Sequence, residues 1–163
     1  MMTDLYKTDY TAWLSQQREL LAQRQFHKLD IDNLLEAMEY EMGSTRDTLE
    51  SHLSVLVLHL LKYDYQKRIL KDLWVEDKVV QTWMPSIYNS RAAIEKQISK
   101  HPHLQPMIVE LLAGAYSDAC RQAVKQMNNY ARSESQKLSK KSFPGQCPWT
   151  FEQITDDDWL PGD

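Results

Sequence analysis

The stretch HLLKYDYQ, His59 to Gln66, closes the most apolar segment of the chain, LSVLVL. At about 100° per residue, His52, His59, Lys62, Tyr63 and Gln66 share roughly one third of a helical circumference. They form a polar stripe bordered by Leu49, Leu56 and Leu60. An imidazole and an ammonium group shielded from water are costly unless hydrogen-bonded or paired. The helix expected before this one offers Glu39, at the edge of its apolar face, as first partner for His59 or Lys62, with Glu36 as second. The simplest chemistry for such a set is a structural ion-pair and hydrogen-bond cluster that fixes helix register. The sharper alternative is a ligand or catalytic site in which a carboxylate tunes His59 for acid–base work.

Other groupings carry less. A dinuclear metal bundle needs Glu-x-x-His on two helices, a motif the sequence does not contain, and no metal or cofactor is expected. Arg91 falls on the inner side of its helix and reads as a buried, paired arginine. Cys120 reads as a core thiol and Cys147 has no CxxC partner. His101-Pro102-His103 reads as helix termination. No glycine-rich phosphate loop, nucleophile elbow or zincin motif is present.

The elements that position these residues follow from periodicity. An amphipathic helix is expected from about Asp9 to Arg24, capped by Thr8 or Asp9. A second opens at Asp30, with Leu29 able to staple against Leu34, and turns Ile31, Leu34, Leu35, Met38 and Met42 to one side. Gly43 and Ser44 are expected to end or punctuate it. The third, from about Thr45 to Arg68, is apolar nearly all round between residues 53 and 61 and should be central. KDLWVEDKVVQ reads as a connection. A fourth helix, capped by Thr82, steps through Trp83, Ile87, Arg91, Ile94 and Ile98. The fifth runs from about Gln105 to Asn128. Thr150 and Gln153 make a capping-box pattern in the tail.

Composition agrees with helices. The 163 residues include only four glycines and six prolines, with 42% apolar and 26% charged side chains. The fold class expected is all-α, a compact bundle of about five helices with an irregular C-terminal strap. One domain is expected overall: bundle at 1–131, polar linker at 132–141, and aromatic strap at 142–163 docked on the bundle. A net charge of −4 disfavours general nucleic-acid affinity. Two cysteines are too few for a secreted disulfide scaffold. The longest apolar run is about half the ~20 residues that span a bilayer, so a cytoplasmic protein without membrane contact is expected.

Five segments in order, DYTAWLSQQRELL, LDIDNLLEAMEYE, HLLKYDYQ, the W…I…R…I series of helix four and CPWTFEQITDDDWLP, give a further clue. Together the chain resembles an uncharacterised bacterial family, domain of unknown function number twenty-nine, which is common in cyanobacteria. The resemblance implies an all-helical fold and no established activity. It points to Asp30, Asn33, Glu36, Glu39, His59, Lys62, Gln66 and Arg91 as the family's recurrent polar positions. Ala37 departs from the family's acidic pair and His103 from its usual serine. The expected function is a non-enzymatic interaction module, pairing with another protein or with itself. The alternatives are a ligand binder or enzyme using the Glu/His/Lys set, and an accessory protein of a mobile or defence operon that contacts nucleic acid.

Overall fold

Apolar residues recurring at three- and four-residue steps, with few glycines to interrupt them, leave the backbone little choice but helix. The computed structural model of the chain describes residues 4–70, 82–129, 131 and 133–162, and the segment KDLWVEDKVVQ, 71–81, lies outside them. The described residues are all-α and contain no strand. Their helices are α1 (Leu5–Thr8), α2 (Tyr10–Ala22), α3 (Ile31–Asp64), α4 (Met84–Lys100), α5 (Ile108–Asn128) and α6 (Phe151–Thr155). No helix among the described residues is long and apolar enough to cross a membrane. The chain divides into two compact units, Met1–Ser44 and Thr45–Asp163.

One expectation is corrected at this boundary. Gly43 and Ser44 end nothing, because α3 runs through them as one helix of 34 residues. A single helical glycine costs only about 1 kcal/mol against alanine, and good helix formers on both sides carry the backbone across. Gly43 also does not adopt the positive φ that a glycine helix stop uses.

In the first unit, the Asp9 side chain caps α2 by accepting from the Ala12 amide at 3.0 Å. The helix ends without glycine: Arg24 takes φ 55°, the Gln25 amide reaches back to the Leu20 carbonyl at 2.8 Å, and the Arg24 amide reaches Leu21 at 3.0 Å. This is a Schellman stop with an arginine in the left-handed position. The chain then doubles back, so that Asp30 meets the middle of α2. Its carboxylate accepts from Trp13 Nε1 at 3.0 Å and from Asn33 Nδ2 at 2.7 Å, and its amide donates to Gln17 Oε1 at 2.8 Å. Those bonds hold the Asp30 carboxyl below its ordinary range, the Asn33 bond most strongly. Tyr6, Tyr10 and Trp13 pack ring against ring alongside. Burial and then the Glu36 carboxylate raise the Tyr6 hydroxyl above its ordinary value. The start of α3 therefore heads back toward α1, antiparallel to α2.

In the second unit, residues 45–64 of α3 form the axis, with Leu49, Leu53, Leu56, Val57, Leu60 and Leu61 almost wholly buried. Val55 is the exception to an all-round apolar burial, at 43% exposed. Helix α4 returns antiparallel to α3: Tyr63 packs near Trp83 and Met84, while Gln97 Nε2 donates to the Thr45 carbonyl at 3.2 Å. Helix α5 then runs parallel to α3 in a fixed register. Arg46 pairs with Glu110, Ser54 with Asp118 and Lys62 with Gln126, each at a sequence offset of 64. Gly114, at the same offset from Glu50, leaves room for the Glu50 carboxylate where a Cβ would stand.

The chain from Leu138 onward closes this unit. Asn128 fixes Leu138 by donating to its carbonyl at 3.0 Å and accepting from its amide at 2.7 Å. Leu138, Phe143 and Ile154 are buried in the core, and Trp149 and Trp159 pack against it. The capping box of Thr150 and Gln153 opens α6.

Candidate functional site

Each polar residue singled out from the sequence finds a place, but they do not gather into one pocket. His59 is half-buried and its Nδ1 donates to the Val55 carbonyl at 2.8 Å, one turn back on its own helix. Burial, opposed by that bond, and then Lys62 push the imidazole below its ordinary pKa. Lys62 is half-buried, lowered by burial, and donates to Gln126 Oε1. Gln66 is half-buried in the wider turn Tyr65–Leu70 that follows α3. Glu36 and Glu39 are exposed on the first part of α3.

The pairing expected between Glu39 or Glu36 and His59 or Lys62 is thereby corrected. It required two helices joined at Gly43. On one continuous helix only side chains three or four positions apart meet, and these groups stand twenty or more positions apart. The bonding partners that His59 and Lys62 use are the Val55 carbonyl and Gln126. Among the described residues no group of three or more His, Cys, Asp or Glu side chains is placed to hold a metal ion.

Arg91 has a structural task of its own. Its guanidinium, 3% exposed, donates to three backbone carbonyls of the tail: Ile154 at 2.8 Å, Asp157 at 3.2 Å and Trp159 at 2.7 Å. The planar fork answers carbonyls left open by the end of α6 and the turn beyond it. Ser54 and Asp118 form a second network that sequence reasoning missed. Asp118 accepts from Ser54 at 2.7 Å, Gln122 at 2.7 Å and Arg121, which hold its carboxyl below the ordinary range, the Ser54 bond most strongly. The two cysteines are free, half-buried and raised in pKa by burial, which makes them poor nucleophiles.

A recess of about 330 Å³ lies where the end of α3 meets the tail, lined by Leu61, Asp64, Tyr65, Phe143 and Trp149. Its carboxylate is already paired, since Asp64 accepts from Arg68 at 2.9 Å. Arg68 and Ser142 line it as well.

The first unit carries the more telling surface. Tyr10, Leu14 and Leu21 of α2 and Ile31, Leu35 and Met38 of α3 are all exposed, between 44% and 59%. On α2 this stripe lies beside the row Trp13, Gln17 and Leu20, which is covered. On α3 it lies beside Asn33, Leu34 and Ala37, again the better covered row. The displacement has the same rotational sense on both helices, roughly 70–120° at about 100° per residue. Because the helices run oppositely, both stripes emerge on one side of the hairpin. On α3 the series Ile31, Leu35, Met38 and Met42 then continues in steps of four and three into Thr45 and Leu49, which are buried. Sequence reasoning found the α3 stripe as an apolar face, and periodicity shows which residues share a face but not what covers it.

Comparison with known families gives one match: the family described as Domain of unknown function DUF29 covers residues 5–160. No curated protein and no solved structure matches the chain.

Proposed function

The chain belongs to the DUF29 family, which brings no reaction with it, and from its geometry we propose that it is a non-enzymatic helical interaction module. One observation carries this reading: six large apolar side chains lie exposed on one side of the α2–α3 hairpin. At about 100 Å² each they amount to roughly 600 Å² of apolar surface, the upper end of what a monomer ordinarily shows. Leaving that area in water forgoes a stabilisation of order 10 kcal/mol at ~25 cal/mol per Å², so a partner that covers it gains much of its affinity there. The polar groups of the second unit support the same reading, since His59, Lys62, Arg91 and Asp118 are already engaged with neighbours.

Protein contact is the interaction this surface suits. A photo-crosslinking amino acid placed at Met38 should capture a protein in the cells that make the chain, whereas the same group at exposed Glu152 should not. Equal, background-level adducts at both positions would refute the proposal.

A further inference from the structure

The recess at the end of α3 is built from side chains that their neighbours already hold in place. Asp64, Tyr65 and Arg68 reach it from the point where α3 widens into the π-helical turn Tyr65–Leu70. Such turns are rare and recur at functional sites. Arg68 donates through Nε to Asp64 Oδ1 at 3.1 Å and through Nη2 to Oδ2 at 2.9 Å. Two parallel bonds fix the plane of the guanidinium. They use two of its five N–H groups and leave three to meet a further acceptor. The aromatic walls are held as well. Tyr65 meets Phe143 edge to face with ring centroids 6.0 Å apart, and Trp149 meets Trp159 in the same way at 5.8 Å. Ser142 Oγ accepts from the Ser139 amide at 2.9 Å, and an oxygen that accepts still has its own proton to give.

From this we infer that the recess is a binding site for a planar aromatic ligand that carries an oxygen acceptor on its edge. Its volume of about 330 Å³ stands at the lower end of small-molecule sites, enough for a body of one or two rings. Rings already pinned by other rings lose little freedom when a flat guest packs on them. Ring-on-ring contact also adds to what the buried area alone supplies. The donors of Arg68 and Ser142 give such a guest an orientation, with its oxygen toward the guanidinium. The site belongs wholly to the second unit and is independent of what covers the α2–α3 face.

Indole-3-carboxamide, flat and uncharged with one carbonyl, is the probe. It is titrated into the full chain labelled with ¹⁵N and followed at the Trp149 indole N–H signal, assigned by its loss in W149F. A saturable shift with Kd of about 1 mM or below is expected for a ligand of this size. 3-Methylindole keeps the rings without the carbonyl and should bind about fivefold more weakly, the worth of one hydrogen bond. Cyclohexanecarboxamide keeps the carbonyl without the flat rings and should also bind about fivefold more weakly. Arg68→Met, whose other amide signals should stay in place, should erase the preference for the carboxamide over 3-methylindole. No saturable shift at Trp149 overturns the site. Equal binding of 3-methylindole, or a preference that survives Arg68→Met, overturns the role of the guanidinium, and equal binding of cyclohexanecarboxamide overturns the aromatic class.

Discussion

Replacing Arg91 by methionine removes three donors from the carbonyls of Ile154, Asp157 and Trp159. Leaving such buried acceptors open should cost about 3–5 kcal/mol, read as a lower urea midpoint. Lysine should recover only part of it, since a single ammonium cannot span three carbonyls in a planar fork. His59 gives a pH signature. Its folded pKa lies below the ordinary 6.5, so the unfolded chain takes up the proton first as pH falls. Stability should be full above about pH 6.5 and decline as the pH drops below that value, and His59→Gln should flatten this part of a urea-midpoint titration. Asp118 acts in a separate window: its pKa is depressed, so its contribution is present above about 3.8 and lost at more acid pH. That His59, Lys62 and Arg91 needed partners was legible from their apolar neighbours. Which partners Lys62 and Arg91 have was not, because Gln126 and the tail carbonyls lie more than sixty residues further along the chain.

At the scale of the element, glycine spoke less clearly than expected. Gly43 follows an apolar periodic run and reads as a stop, yet lies within α3 with nothing within 4 Å of a Cβ built on it. Gly43→Ala should therefore stabilise the protein by about 1 kcal/mol, measurable as a higher thermal midpoint. A loss of stability would show that α3 is broken there. The stop that does use a left-handed residue is at Arg24, where no glycine signals it. Arg24→Gly should gain up to about 1 kcal/mol, since glycine takes that conformation without the Cβ penalty. Capping was legible at three helix starts: the Asp9 cap, the Thr150–Gln153 box and the helix opened at Asp30 stand where local side-chain chemistry placed them. The Thr82 cap expected for the fourth helix is corrected, since Trp83 stands at the N-cap of α4 with no side-chain cap and Pro85 in the first turn lacks an amide proton to be capped.

At the scale of the molecule, low glycine content and helical periodicity were enough for the all-α class. The repeated offset of 64 between α3 and α5 was not legible, because register depends on pairs such as Ser54–Asp118 that carry no local signal. The same limit applies to the apolar face of the first unit. An apolar stripe looks alike whether its cover comes from the same chain or from another molecule. Met38 reports on that cover directly, as its thioether oxidises only where peroxide reaches it. Its oxidation rate should be measured by mass spectrometry in the cell extract and again in the purified chain diluted to nanomolar concentration, with half-buried Met127 as internal reference. Covering of the face predicts at least fivefold slower oxidation of Met38 in the extract, with Met127 unchanged. Equal Met38 rates in the two preparations would contradict it.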